Sequence, residues 1–295
     1  MPTVAITQDM EFIGQAIFDA LDALELEDAL TGRLVAIHPN DTAATPDNIS
    51  GVTHADTLQS VIRFVKRFNP RHIVVSGGAG ASQTEDVFNY TGMMDVIRRE
   101  GVEFFDHNRA PFHEIILASG PQRQIMVNPR ILEYESVISL AQLKLHATAT
   151  VTLSMKNIAM SFPAADYYGH PRASGEIHAH DMFGDMQEFI PAMIQRFPPS
   201  LAIIVGHPAM IGTGPLGGIP VETGLVIASR DFVAADAAGA ELFGFNMQGV
   251  RHIFEAHRMG LGDARVAAMT FPRMSLSDAI QAFTRLAYAQ QIVWA

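Results

Sequence analysis

Cysteine is absent from this chain of 295 residues. That absence removes disulfides, thiolate-held metals, Cys-ligated iron–sulfur clusters and a cysteine nucleophile together. Any metal must then sit on His, Asp or Glu. Basic residues are also in short supply: 20 Lys and Arg stand against 31 Asp and Glu, a formal net charge of -11. The Lys and Arg are scattered rather than gathered into a stripe, which argues against a nucleic-acid partner. Long apolar runs are missing too. Residues 201–206 (LAIIVG) are too few to span a bilayer. The opening MPTVAITQDMEF has no basic segment followed by an apolar core, so no signal peptide is expected. These features lead to the expectation of a cytoplasmic protein without a membrane partner. What is present is 48% hydrophobic and 17% charged residues, enough for one large α/β domain or two packed lobes.

Short apolar runs followed by turn residues predict buried strands at Leu34–Ile37, His72–Ser76, Val102–Phe105, Ile125–Val127, Ser136–Leu140, Leu201–Val205 and Leu225–Ala228. Between them lie stretches with helical spacing. Leu58, Val61, Ile62 and Val65 make an apolar stripe in Thr57–Phe68, and Gly92–Glu100 and Asp185–Arg196 behave alike. Asp231–Leu242 is Ala-rich, with Ser229 or Asp231 as its cap. The alternation predicts an α/β fold, a mainly parallel sheet flanked by helices. Repeated β–α units run to about residue 133, and the chain turns loop-rich from about Ser136. Two lobes are therefore expected, 1–135 and 136–295, either separate or as one continuous domain, with the site on the loop-rich second half.

Five constellations can carry chemistry. Gly77-Gly78-Ala79-Gly80 at a strand's end is either a tight β–α turn or a loop that lets backbone approach a ligand. Lys144-Leu145-His146 and Ser154-Met155-Lys156-Asn157 place two lysines, a histidine and an asparagine on an otherwise apolar or Thr-rich stretch. Exposed, they are ordinary loop residues; interior, the lysines require an anion or serve as desolvated bases. His170, His178, His180 and Asp181 form a cluster whose H-x-H pair, on an extended segment, points both imidazoles one way. That suits a divalent metal, with Asp181 as ligand or orienting partner; a solvated loop is the alternative. Residues 206–220 (GHPAMIGTGPLGGIP) hold five glycines and three prolines and read as a binding loop at a strand's C-terminal edge, a plain structural connection being the alternative. Asp236, among alanines and glycine, needs a partner if buried, and Lys144 or Lys156 would suit it.

These residues resemble the family known as domain of unknown function 362. Its K-P-N after an early strand is matched by His38-Pro39-Asn40, and its T-x-P-E helix start loosely by Thr53-His54-Ala55-Asp56. Its K-x-K-T-H and T-x-x-x-K-N segments are matched by Lys144-Leu145-His146 and by Thr152 to Asn157. The G-x-G-P loop stands as Gly212-Thr213-Gly214-Pro215-Leu216-Gly217, and S-x-D-x-x-A-x-D as Ser229, Asp231, Ala234 and Asp236. The resemblance spans residues 30–265 approximately. It implies a site built from His146 and Lys156 as catalytic groups, with Lys144, Asn157, Gly212, Gly214, Gly217, Ser229 and Asp236 around the substrate. Two acidic residues usual in the family's glycine-rich loop are Val205 and Ile211 here, and the cysteine-rich segment of many relatives is absent.

A remoter similarity is to the nickel-dependent lactate racemase superfamily. There a histidine stands ten positions before the lysine that anchors a nickel-pincer cofactor, as His146 stands before Lys156. His170 or His178 would be the later metal-binding histidine, while Leu153–Met155 replaces that superfamily's Gly-Gly pair. The leading expectation is an enzyme acting on a small anionic substrate, racemase- or isomerase-like, with His146 as acid/base and Lys156 holding negative charge. The alternatives are a non-catalytic metal- or ligand-binding protein using the histidine cluster, and a degenerate family member with a structural or regulatory role. The cofactor is open, a divalent metal being the candidate, and the oligomeric state is not readable.

Overall fold

The computed structural model describes residues 1–170 and 182–288. Its strands are β1 (Ala5–Gln8), β2 (Leu34–Pro39), β3 (His72–Gly77), β4 (Glu103–Asp106), β5 (His113–Ile116), β6 (Gln124–Val127), β7 (Ser136–His146), β8 (Thr150–Thr152), β9 (Leu201–Ile211), β10 (Ile219–Val221) and β11 (Leu225–Ser229). Among the described residues, nine strands share one sheet in the order β1-β11-β9-β7-β2-β3-β4, with β10 beside β9 and β8 beside β7. Strands β9, β7, β2, β3 and β4 run parallel. Strands β1 and β11 close one edge antiparallel, so the sheet is mixed and mostly parallel. β5 and β6 form a separate hairpin.

Every residue of β2 is buried, as expected of a strand covered on both faces. The helix Ala55–Lys66 lays Leu58, Val61, Ile62 and Val65 on one face, against Val35, Ile37 and Leu140. Helices Ser154–Ser161 and Met186–Arg196 cover the other face, with Met155, Ile158, Phe189 and Ile190 against Leu143 and Ile204. Strands from both sides of residue 135 thus meet in one hydrogen-bonded layer.

The connections determine where a ligand can enter. The chain leaves β2 over one face to reach β3, and leaves β7 over the opposite face to reach β9. β2 and β7 are neighbours, so the winding reverses between them. In open α/β sheets the crevice at the carboxyl ends of such a strand pair is where ligands bind.

One expectation needs correction. Residues 206–220 are not one loop, because β9 continues through Gly206, Pro208 and on to Ile211, and β10 follows at Ile219. Gly206 stands inside the strand at a position with no room for a side chain, because Thr223 occupies that space, and only 212–218 are left to turn. The first β–α unit, for which the sequence names no particular strand or helix, is β1 with the helix Ile13–Leu21, which buries Ile13, Ala16, Ile17, Ala20 and Leu21. Among the described residues no helix is long and apolar enough to cross a membrane.

Candidate functional site

The candidate site at this switch point is built first by Asn40, the residue after β2. Its backbone N–H donates to Leu140 O (2.9 Å), extending the pairing with β7. Its side-chain Oδ1 accepts from Lys144 Nζ (2.7 Å), and its Nδ2 donates to Asn157 Oδ1 (2.9 Å). Lys144 Nζ donates also to Gly51 O (2.6 Å). Asn157 Nδ2 in turn reaches His38 O and Ser139 Oγ, each at 3.2 Å. One amide therefore ties β2, β7 and the helix Ser154–Ser161 together at the reversal point.

Both lysines of the segment are interior, Lys144 fully buried and Lys156 7% exposed. Burial, followed by the charge of Lys156, lowers the Lys144 amine to about 7, against the pull of Asp41. Burial lowers Lys156 to about 8. Unlike Lys144, Lys156 has no hydrogen bond or ion pair among the described residues. An amine in that condition is partly neutral at physiological pH and is able to take a proton or meet an anion.

Asp41, which the sequence reading does not single out, lies beside this group. Gly78 N donates to its Oδ2 (2.7 Å), so the glycine turn after β3 presents its amide to a carboxylate of the same chain. Burial and the neighbouring Asp106 raise the Asp41 carboxyl to about 7, against the Gly78 bond. Gly78 has no room for a side chain, because the His107 ring and Ser161 fill the space. His107 joins Ser76 Oγ (2.8 Å) and Ser161 O (2.9 Å), and His38 joins Ser76 O (2.6 Å). Burial pushes His38 to about 3 and His107 to about 4, so both rings are neutral at pH 7.

His146 closes β7. Its Nδ1 accepts from the backbone N–H groups of Thr148 and Ala149, both at 3.1 Å. A nitrogen accepting twice carries no proton, so the neutral ring holds its proton on Nε2 and acts as a donor. The loop 212–218 is brought beside it, since Ala147 N donates to Gly214 O (3.0 Å).

Asp236 does not pair with either lysine. Its oxygens accept from Ser154 N (2.8 Å) and Met155 N (3.0 Å), capping the helix that carries Lys156 and Asn157. Burial raises its carboxyl to about 7 in spite of these bonds. Ser229 donates to Thr3 O (2.7 Å) and pairs with Ala202 near the start of β9, at the opposite end of the sheet from Lys144. Val205 and Ile211 are buried strand residues. Both ring nitrogens of His170 are engaged, with Asp166 Oδ1 (3.1 Å) and Ser82 O (2.7 Å). His178, His180 and Asp181 lie outside the described residues.

This is a doubly wound α/β protein with two buried lysines beside its topological switch point. The sequence matches the model of the family described as Domain of unknown function (DUF362) over residues 35–241, and the chain belongs to that family. A thylakoid-associated protein of Synechocystis sp. is 28% identical over 148 residues, 50% of this chain and 44% of that protein. The chain thus spans less than half the length of that curated relative. The lactate racemase apoprotein from Thermoanaerobacterium thermosaccharolyticum superposes with a TM-score of 0.50 at 12% identity, covering 85% of this chain and 57% of that one. A protein from Thermotoga maritima gives 0.43 at 13% identity, covering 85% of this chain and 58% of that one. At such identity the likeness to the racemase is one of fold.

The surroundings of Lys156 do not fit an anchored nickel-pincer group. The stretch Leu153–Met155, which stands in place of the Gly-Gly pair of the racemase superfamily, carries the fully buried side chains of Leu153 and Met155. The amides of Ser154 and Met155 are already taken by Asp236.

Proposed function

We propose that the crevice binds a small carboxylate-bearing molecule, a 2-hydroxy- or 2-oxo-acid, and moves a proton at a carbon beside its carboxyl or carbonyl group. The observation that carries this reading is Lys156, an interior amine without a partner among the described residues and with its pKa lowered to about 8. In its neutral form Lys156 is the base; in its protonated form it holds the enolate-like charge that develops. His146, with its proton on Nε2, is the acid that polarises the substrate oxygen. Lys144, Asn40 and Asn157 position the Lys156 helix through their shared hydrogen bonds. The loop with Gly212, Gly214 and Gly217 offers backbone to the ligand. The fold shared with a lactate racemase supports the substrate class.

The test incubates the full chain in D2O with a panel of small 2-hydroxy- and 2-oxo-acids and follows loss of the C–H proton signal by NMR. At least one acid should exchange, with rates cut about 100-fold or more in Lys156→Met and in His146→Gln. Exchange at the parental rate in both variants sinks the proposal. A parent that neither exchanges nor binds any acid of the panel supports the non-catalytic alternative instead.

A further inference from the structure

A second group of metal-type ligands lies outside the lysine crevice. His54 and Asp56 stand where the helix Ala55–Lys66 begins, and His207 lies within β9. One ligand atom from each of the three lies within 4.8 Å of the other two. The His54 and His207 rings are 5.5 Å apart. His207 Nε2 is 3.0 Å from Asp56 Oδ2, and its Nδ1 is 2.9 Å from Glu222 Oε2.

The hydrogen bonding of the two rings leaves nitrogen available to a cation. Metal-bound histidines give their second nitrogen to a carboxylate or a backbone carbonyl, which fixes the tautomer and leaves the other lone pair for the ion. His207 has Glu222 in that place. His54 Nε2 is buried without a hydrogen-bond partner. An imidazolium at His207 would account for Asp56 and Glu222, but it leaves the His54 nitrogen unsatisfied. A cation between His54, His207 and Asp56 satisfies all three.

We propose that His54, Asp56 and His207 bind one divalent first-row transition-metal ion, of which Zn2+ is the representative, with Glu222 as the carboxylate that orients His207. Two imidazoles and one carboxylate with no sulfur suit Zn2+ and its neighbours better than Ca2+ or Mg2+, and leave a position for water or another ligand. The segment concerned also supplies Gly51 O to Lys144 and Ser50 O to Gln142. The ion therefore clamps the wall of the lysine crevice to β9.

The experiment strips the full chain with EDTA and titrates it with Zn2+ by calorimetry. Binding of one ion should weaken at least 100-fold in His54→Gln and in His207→Gln, and 10- to 100-fold in Glu222→Gln. The double variant His178→Asn with His180→Asn should retain that ion. Absence of saturable binding by the parent, or parental affinity in His54→Gln and His207→Gln, overturns the proposal. Co2+ loaded into the parent gives a readout that needs no variant. It should shift or broaden the ring signals of His54 and His207, and unmoved signals overturn the assignment.

Discussion

Replacing Asp236 tests how the lysine helix is held. The carboxylate is fully buried and accepts from Ser154 N and Met155 N at 2.8 and 3.0 Å. Asp236→Ala leaves two interior N–H groups without an acceptor. Each such group costs about 1–3 kcal/mol, so the variant should lose about 2–6 kcal/mol. Asp236→Asn keeps one acceptor and should fall between parent and Ala. Urea unfolding with unchanged m-values gives the three numbers. The pH dependence supplies an independent check. Burial raises the Asp236 carboxyl to about 7, so the folded state holds its proton more tightly than the unfolded chain. The stability this contributes is present in full below the unfolded value and is lost as pH rises through about 7. The deficit of Asp236→Ala should therefore be larger at pH 5 than at pH 8. A variant within about 0.5 kcal/mol of the parent, below the range for ordinary loss of a buried bond, refutes the capping role. A deficit that grows with pH refutes the account of its charge.

Two other perturbations follow from the same crevice. His107 is held near 4 by burial, so the unfolded chain binds its proton first. The parent should lose about 3 kcal/mol from this group as pH falls from 6.5 to 4, and His107→Asn should show a shallower acid limb in urea titrations. Gly78→Ala drives a methyl group into the His107 ring and the Ser161 hydroxyl. It should cost about 1–3 kcal/mol in thermal or urea unfolding; a neutral result would mean that the turn and the ring can separate.

The parallel strands and the helix Ala55–Lys66 were legible because each has one periodicity and one environment. Apolar runs such as Leu34–Ile37 identify strands buried on both faces, and the Leu58, Val61, Ile62, Val65 stripe identifies a surface helix. β9 was not legible beyond Val205, since its glycine and proline read as loop, and the reason for a glycine at 206, a Thr223 hydroxyl in the space a side chain would need, is distant in sequence. The lysine segment was visible as a compositional anomaly, but its partners were not. Asn40 and Asp41 are small polar residues at a strand end, common in any turn. They become part of the site only because β2 lies next to β7, and adjacency of strands roughly a hundred positions apart leaves no local mark. The signal available was the His38-Pro39-Asn40 motif itself, whose third residue proves to be the hydrogen-bonding hub.

The charges buried around the crevice show what is still missing from it. Two lysines and two carboxyl groups, Lys144, Lys156, Asp41 and Asp236, are all interior. A count alone would suggest two ion pairs, but the carboxylates are directed elsewhere. Asp41 is bonded to the Gly78 amide, and Asp236 to the amides of Ser154 and Met155. Lys144 is satisfied by the neutral oxygens of Asn40 and Gly51. An interior ammonium without a counter-charge is costly, and its lowered pKa is the measure of that cost. Lys156 alone remains with neither an anion nor a hydrogen-bond acceptor among the described residues. A bound carboxylate would supply both, which is why the proposed substrate is an acid; as Lys156 deprotonates above about 8 the affinity should fall while the neutral fraction able to take the substrate proton rises.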